Sequence, residues 1–176
     1  MKREIQGRRL YRLLYPRQVI LVSCFDRSSG KPNVLPVAWA TPLSADPFLV
    51  GILLTKNRYS YGLIEKSGEF AINIPTMELL EKIKKCGSTS GSSINKFKEF
   101  GLTQVHASKI HTPLVKECIA HLECKLVKMV ETGDHILFIG EVVAVSAEEG
   151  IFENEAMNLE KAKLVYQIGG DNYTTF

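Results

Sequence analysis

Residues 33–73 read N-V-L-P-V-A-W-A-T-P-L-S-A-D-P-F-L-V-G-I-L-L-T-K-N-R-Y-S-Y-G-L-I-E-K-S-G-E-F-A-I-N, and the fold turns on how this stretch is read. An apolar strand ends near Trp39 to Thr41, and a turn carrying Pro42, Asp46 and Pro47 follows. In the next strand, Phe48 to Thr55, the residues Phe48, Val50, Ile52 and Leu54 alternate with Leu49, Gly51 and Leu53. Both faces are apolar, so both must be covered. The strand runs straight into Lys56, Asn57, Arg58 and Ser60, which open a short helix closed by Gly68. The first turn of a helix leaves backbone N–H groups unpaired and carries partial positive charge. Cations, an amide and a hydroxyl at the same point make a seat for a phosphate. The plainer reading of such a junction is a solvated loop.

Outward from this stretch, the chain reads as mainly β. Arg17 to Asp26 is a strand rich in β-branched residues, paired through a Ser28–Pro32 turn with Asn33 to Thr41. Glu69 to Ile74 alternates and stops at Pro75. Thr76 starts a helix whose buried stripe is Met77, Leu80 and Ile83 or Leu79, Ile83 and Cys86, with Gly87 as its stop. Gly87 to Ser93 (G-S-T-S-G-S-S) is dense in hydroxyls and N–H donors, and Ile94 to Phe100 is a second helix. Leu102 to Lys116 is irregular. Glu117 to Val130 and His135 to Ser146 are two long strands around the turn Thr132, Gly133 and Asp134. Asn154 to Lys163 reads as weak helix or loop, and Leu164 to Ile168 as a last short strand. Met1 to Tyr15 is a basic arm that suits packing on a second subunit. The helices interrupt the strands rather than alternate with them. That pattern predicts a closed antiparallel barrel with helical insertions, not a doubly wound parallel sheet.

The 176 residues suit one domain, 1–176, with a full core. The composition, 45% hydrophobic and 23% charged, is that of a globular chain, and the net charge of +3 is too mild to call for a nucleic acid. No apolar run is long enough to span a bilayer, and no apolar signal region follows Met1 to Gln6. The expected location is cytoplasmic. In C-I-A-H-L-E-C, read as a strand, Cys118 and Cys124 share one face while His121 and Glu123 point the other way. A metal site there is not expected. All four cysteines read as reduced core residues, with Cys86 the most exposed. The chain has no G-x-G-x-x-G after a strand, no Walker A loop, no G-x-S-x-G elbow and no H-E-x-x-H. The histidine at a strand mouth is His135, just after Gly133 and Asp134.

Four stretches in order carry a resemblance: residues 33–61, then C-G-S-T-S-G-S-S-I-N-K-F, then G-D-H-I-L-F-I-G-E-V, then Y-Q-I-G-G-D-N-Y. Over roughly residues 14–174 the chain resembles the flavin reductase-like, FMN-binding split-barrel family, on its flavoredoxin and ferric-reductase-like side. The resemblance implies a six-stranded antiparallel Greek-key split β-barrel working as a homodimer, with FMN near the subunit interface. By position it implies that Ala38, Trp39, Ala40 and Thr41 line the isoalloxazine through their backbone. It puts Thr55, Lys56, Asn57 and Ser60 on the ribityl chain and phosphate. Ser88, Thr89, Ser90 and Lys96 approach the phosphate end or come from the second subunit, and His135 stands by the flavin where a nicotinamide docks. Trp39 is bulkier than the residue this family often places there, and Asn95 stands where an acidic residue is common.

The activity implied is that of an NAD(P)H-dependent flavin or ferric oxidoreductase. The hydride comes from NADH or NADPH, and the electrons go to a small-molecule or protein acceptor. The alternative is a flavoredoxin-type FMN carrier between partner proteins, with little direct use of NAD(P)H. Neither role asks for a protein nucleophile or an acid–base dyad, because the cofactor carries the chemistry.

Overall fold

The computed structural model describes residues 1–176. Seven strands form one antiparallel sheet: β1 (Ile20–Phe25), β2 (Pro32–Val37), β3 (Ala40–Ser44), β4 (Leu49–Leu54), β5 (Glu69–Ile74), β6 (Ala120–Thr132) and β7 (His135–Ala147). Their spatial order is β2-β1-β5-β6-β7-β4-β3. Helix α1 (Tyr59–Ser67) links β4 to β5. Helices α2 (Leu80–Ser88) and α3 (Lys96–Glu99) lie between β5 and β6. A terminal ribbon, β8 (Tyr166–Gly169) with β9 (Asn172–Thr174), pairs through β8 with Arg17–Gln18.

The two edge strands of the sheet, β2 and β3, are consecutive in the chain, and only Ala38 and Trp39 separate them. Two edges joined by so short a span cannot lie at opposite ends of a flat sheet. The sheet therefore curls until its rims meet at residues 38 and 39. The N–H of Leu53 on β4 donates to the Trp39 carbonyl (3.0 Å) at this closure. The ladder holds seven strands where six were expected, and it does not close into a hydrogen-bonded ring.

Alternation along the strands divides the core. Ile20, Val22 and Cys24 of β1 point into the curl with Val50, Ile52 and Leu54 of β4 and with Phe70 and Phe138. Leu21 and Val19 point outward, where Leu79, Ile83 and Cys86 of the α2 region and Phe97 of α3 cover them. Strands β1, β2 and β5 keep two buried faces because helices pack on the outside of this part of the wall. Gly140 on β7 admits the Phe70 ring: a Cβ there would lie 2.5 Å from its Cζ.

Gly68 ends α1 in the left-handed region (φ 70°), its N–H donating to the Ile64 carbonyl. Gly133 (φ 72°) makes the β6–β7 turn. Gly87 does not stop α2, which runs on to Ser88. It lets the helix approach β2, since a Cβ at this position would sit 3.0 Å from Pro36 Cγ. Cys86 is buried, 1% exposed, against the expectation. The helix phase that faces the core is the one carrying Leu79, Ile83 and Cys86. Burial pushes the Cys86 thiol up to about 11. All four cysteines are free and buried. No helix is long and apolar enough to cross a membrane.

Candidate functional site

Where the rims of the sheet meet, a cleft of about 900 Å³ opens, lined by residues of both the inner and the outer cluster. The ends of β2 and β4, the Ala38–Trp39 hinge, the start of α1, the end of α2 with its Ser-rich loop, and the terminal ribbon all contribute to it. Ten expected residues line it: Ala38, Trp39, Thr55, Asn57, Ser60, Ser88, Thr89, Ser90, Lys96 and His135. Three do not. Ala40 lies behind the hinge, on a smaller cavity. Thr41 is exposed, and its hydroxyl donates to the Pro42 carbonyl. Lys56 is exposed and pairs with Glu131, which holds its ammonium above the usual lysine value.

The cation that does line the cleft at this corner is Arg58. It is the N-cap residue of the nine-residue α1, with extended backbone and no side-chain cap on the helix N–H groups. It makes no side-chain hydrogen bond and no ion pair. Helix start and the exposed guanidinium thus present positive charge to one space. Lys96 lies in the same electrostatic neighbourhood, 3% exposed, donating to the Val34 carbonyl (2.9 Å) and the Cys86 carbonyl (2.6 Å). Burial, and to a lesser degree Arg58, pull its ammonium below the ordinary lysine value.

Asn33 is a site residue that sequence reading missed. It is 2% exposed and lines the cleft. Its Nδ2 donates to Ser60 Oγ (2.7 Å), while its Oδ1 is buried without a partner. Gly91 of the Ser-rich loop approaches so closely that a Cβ would fall 2.0 Å from that oxygen. An asparagine at the head of an apolar strand was the available signal. Cys24 lies beneath, its thiol raised to about 11 by burial, against the opposing effect of hydrogen bonds with Ser60 and Asn33.

At the hinge, the Trp39 ring stacks on His135 (centroids 4.6 Å, 28° between planes) and takes the edge of Tyr11 (5.2 Å). Its indole N–H donates to the Tyr15 hydroxyl (3.1 Å). His135 Nδ1 donates to Asp134 Oδ1 (2.7 Å). That bond holds the Asp134 carboxyl below its usual range and leaves Nε2 as the ring's unengaged nitrogen. Tyr11 and Tyr15 come from the N-terminal arm, whose Leu13 and Leu14 stay exposed.

Residues 10–173 match the family model described as flavin reductase like domain. The chain belongs to this family. Among its flavin reductase-like relatives, an uncharacterised protein of Archaeoglobus fulgidus is 40% identical over 163 residues, 92% of this chain and 89% of its own. The fold is similar to flavoredoxin of Desulfovibrio vulgaris (Miyazaki F). That likeness has a TM-score of 0.89 at 29% identity and covers 100% of this chain and 93% of the other. It is also similar to an FMN-binding protein of Thermus thermophilus, solved with bound 1-cyclohex-2-enone, at a TM-score of 0.83 and 27% identity, covering 99% and 94%. The chain thus has the split-barrel fold of flavin reductases, in a mainly β form with few helices.

Proposed function

We propose that this protein binds FMN in the cleft and acts as an NAD(P)H-dependent flavin or ferric oxidoreductase. The observation that carries the reading is the unpaired Arg58 guanidinium at the uncapped start of α1, facing a cleft of about 900 Å³. That volume lies within the usual range for cofactor sites. Arg58, the first N–H groups of α1 and the Ser88–Ser90 hydroxyls would hold the phosphate. Thr55, Asn57 and Ser60 lie on the path a ribityl chain would take, and the buried Asn33 fixes Ser60 through its Nδ2 bond. The Ala38–Trp39 backbone and Leu53 line the part of the cleft that would take the ring.

When bound, FMN supplies hydride acceptance and electron transfer; the protein supplies binding and orientation. Trp39 and His135 form one aromatic wall, and His135 offers Nε2 to a second substrate. Lys96 acts from beneath the cleft by anchoring the end of α2, and not as a direct phosphate ligand. Lys56, committed to Glu131, takes no part in holding the phosphate. The exposed Leu10, Leu13 and Leu14 of the arm beside the cleft support a homodimer. Four unpaired thiols support a reducing compartment, the cytoplasm. The likeness to flavoredoxin favours one second reading, an FMN carrier between proteins with slow direct NAD(P)H oxidation.

The test is a titration of purified protein with FMN, followed by rapid mixing with NADH and NADPH. Binding followed by fast bleaching of the flavin band supports the oxidoreductase. Binding with slow bleaching supports the carrier. No binding of FMN refutes both.

A further inference from the structure

The hinge that carries Trp39 is a partition with space on both sides. The large cleft lies on one, and on the other Ala38 and Ala40 face a second cavity of about 240 Å³ walled by Leu14, Pro16, Arg17, Gln18 and Ile20. Ala38 and Ala40 pack partly against the hydrophobic core, but the hollows leave some of their contacts unmade. The three consecutive carbonyls of the hinge are fixed by hydrogen bonds as well. Arg17 Nε donates to the Ala38 carbonyl (2.9 Å) and Arg17 Nη2 to the Ala40 carbonyl (3.2 Å). The Leu53 N–H takes the Trp39 carbonyl between them (3.0 Å).

The guanidinium is a planar fork, and here it spans two carbonyls with one residue between them. Its own backbone is secured, since Arg17 pairs with Gln167 of β8. Two residues earlier, Tyr15 accepts the Trp39 indole N–H. One short segment therefore braces both the backbone and the ring of residue 39.

We infer that Arg17 is a positioning residue for the cofactor seat. It sets the orientation of the Ala38–Ala40 backbone, and through it the place of Trp39, without lining the main cleft itself. Its effect on flavin affinity rests on the FMN reading above, but its effect on Trp39 does not. Lysine at this position supplies a compact point charge that cannot bridge both carbonyls in the same plane.

Trp39 is the only tryptophan in the chain, so its emission reports on the hinge alone. Full-length Arg17→Met and Arg17→Lys are compared with the wild type by tryptophan emission, acrylamide quenching, far-UV circular dichroism and FMN titration. Arg17→Met is expected to keep its strand signal while Trp39 emission moves to the red and quenching rises. The FMN Kd is expected to rise on the order of tenfold or more, as follows from the loss of two charge-assisted bonds. Arg17→Lys falls between.

Unchanged emission and quenching in Arg17→Met overturn the inference. Should Arg17→Met fail to fold, Arg17→Lys decides: wild-type emission and FMN affinity in that variant overturn it equally. If not even the wild type binds FMN, the cofactor reading fails, and Trp39 quenching still decides the role of Arg17.

Discussion

Replacing Lys96 by methionine keeps the length of the side chain and removes its charge. Lys96 is 3% exposed and holds two carbonyls, Val34 on β2 and Cys86 near the end of α2. Cys86 is among the last four residues of α2, so its carbonyl has no partner one turn on. The ammonium is thus a C-terminal cap at the negative end of the helix. Methionine leaves both carbonyls buried and unpaired, at about 1–3 kcal/mol each. Part of that loss is offset because a charge no longer has to be kept out of water. The expected net cost is about 2–4 kcal/mol. For a chain of this size each kcal/mol moves Tm by about 2–4 °C, so Tm falls roughly 10 °C.

A second signature is the pH dependence. Burial lowers the folded-state value of Lys96 from its ordinary 10.5. Between the two values the unfolded chain binds more protons than the folded one, so stability rises with pH. Wild type minus Lys96→Met, measured by urea unfolding, is therefore expected to grow as pH climbs toward 10.5. A variant with the wild-type Tm and a flat difference across that range would refute the capping argument. FMN affinity falls as well, since the same contact fixes the end of α2 and the start of the Ser88–Ser90 loop.

Two further outcomes follow from the same geometry. Arg58→Ala weakens FMN binding by about 10- to 100-fold, the worth of one charge-assisted contact to an anion. Lys56→Ala, which breaks only an exposed pair with Glu131, leaves FMN affinity and Tm where they were. Parallel FMN titrations check both. Glu123, 5% exposed, accepts from Ser108 N (2.8 Å), Ser108 Oγ (2.9 Å) and Lys109 N (2.6 Å). Burial alone raises its pKa, but these bonds more than offset it and leave the carboxyl below the ordinary 4.5. Its stabilising contribution is full above 4.5 and is lost as pH falls through the folded value. Glu123→Gln is expected to cost about 1–3 kcal/mol at neutral pH and to flatten the acid limb of the urea unfolding curve.

Much of the architecture was legible in local signals. Gly68 closes α1, Gly133 turns β6 into β7, β-branched residues mark β1, and a run apolar on both faces marks β4. What stayed hidden depends on how distant segments meet. Two stripes competed on the α2 region, and only packing against Val19 and Leu21 chose the one with Cys86. At the cationic corner the residue types were readable but their directions were not. Glu131, 75 positions away, takes Lys56 and leaves Arg58 for the cleft. Asn33 carries no motif at all, and its unpaired oxygen exists only once Gly91 is folded over it. The curl of the open sheet likewise follows from which strands become edges, a property of the whole order and of no single strand.

Because the sheet's rims are joined by Ala38 and Trp39 alone, the curvature of the wall and the width of the seat are a single mechanical variable. Lengthening the connection by even one residue would let the wall relax toward flatness and pull the aromatic surface off His135 in the same motion. A designer who wants a roomier seat must therefore cut into the helices or the Ser-rich loop, and leave the seam its native length.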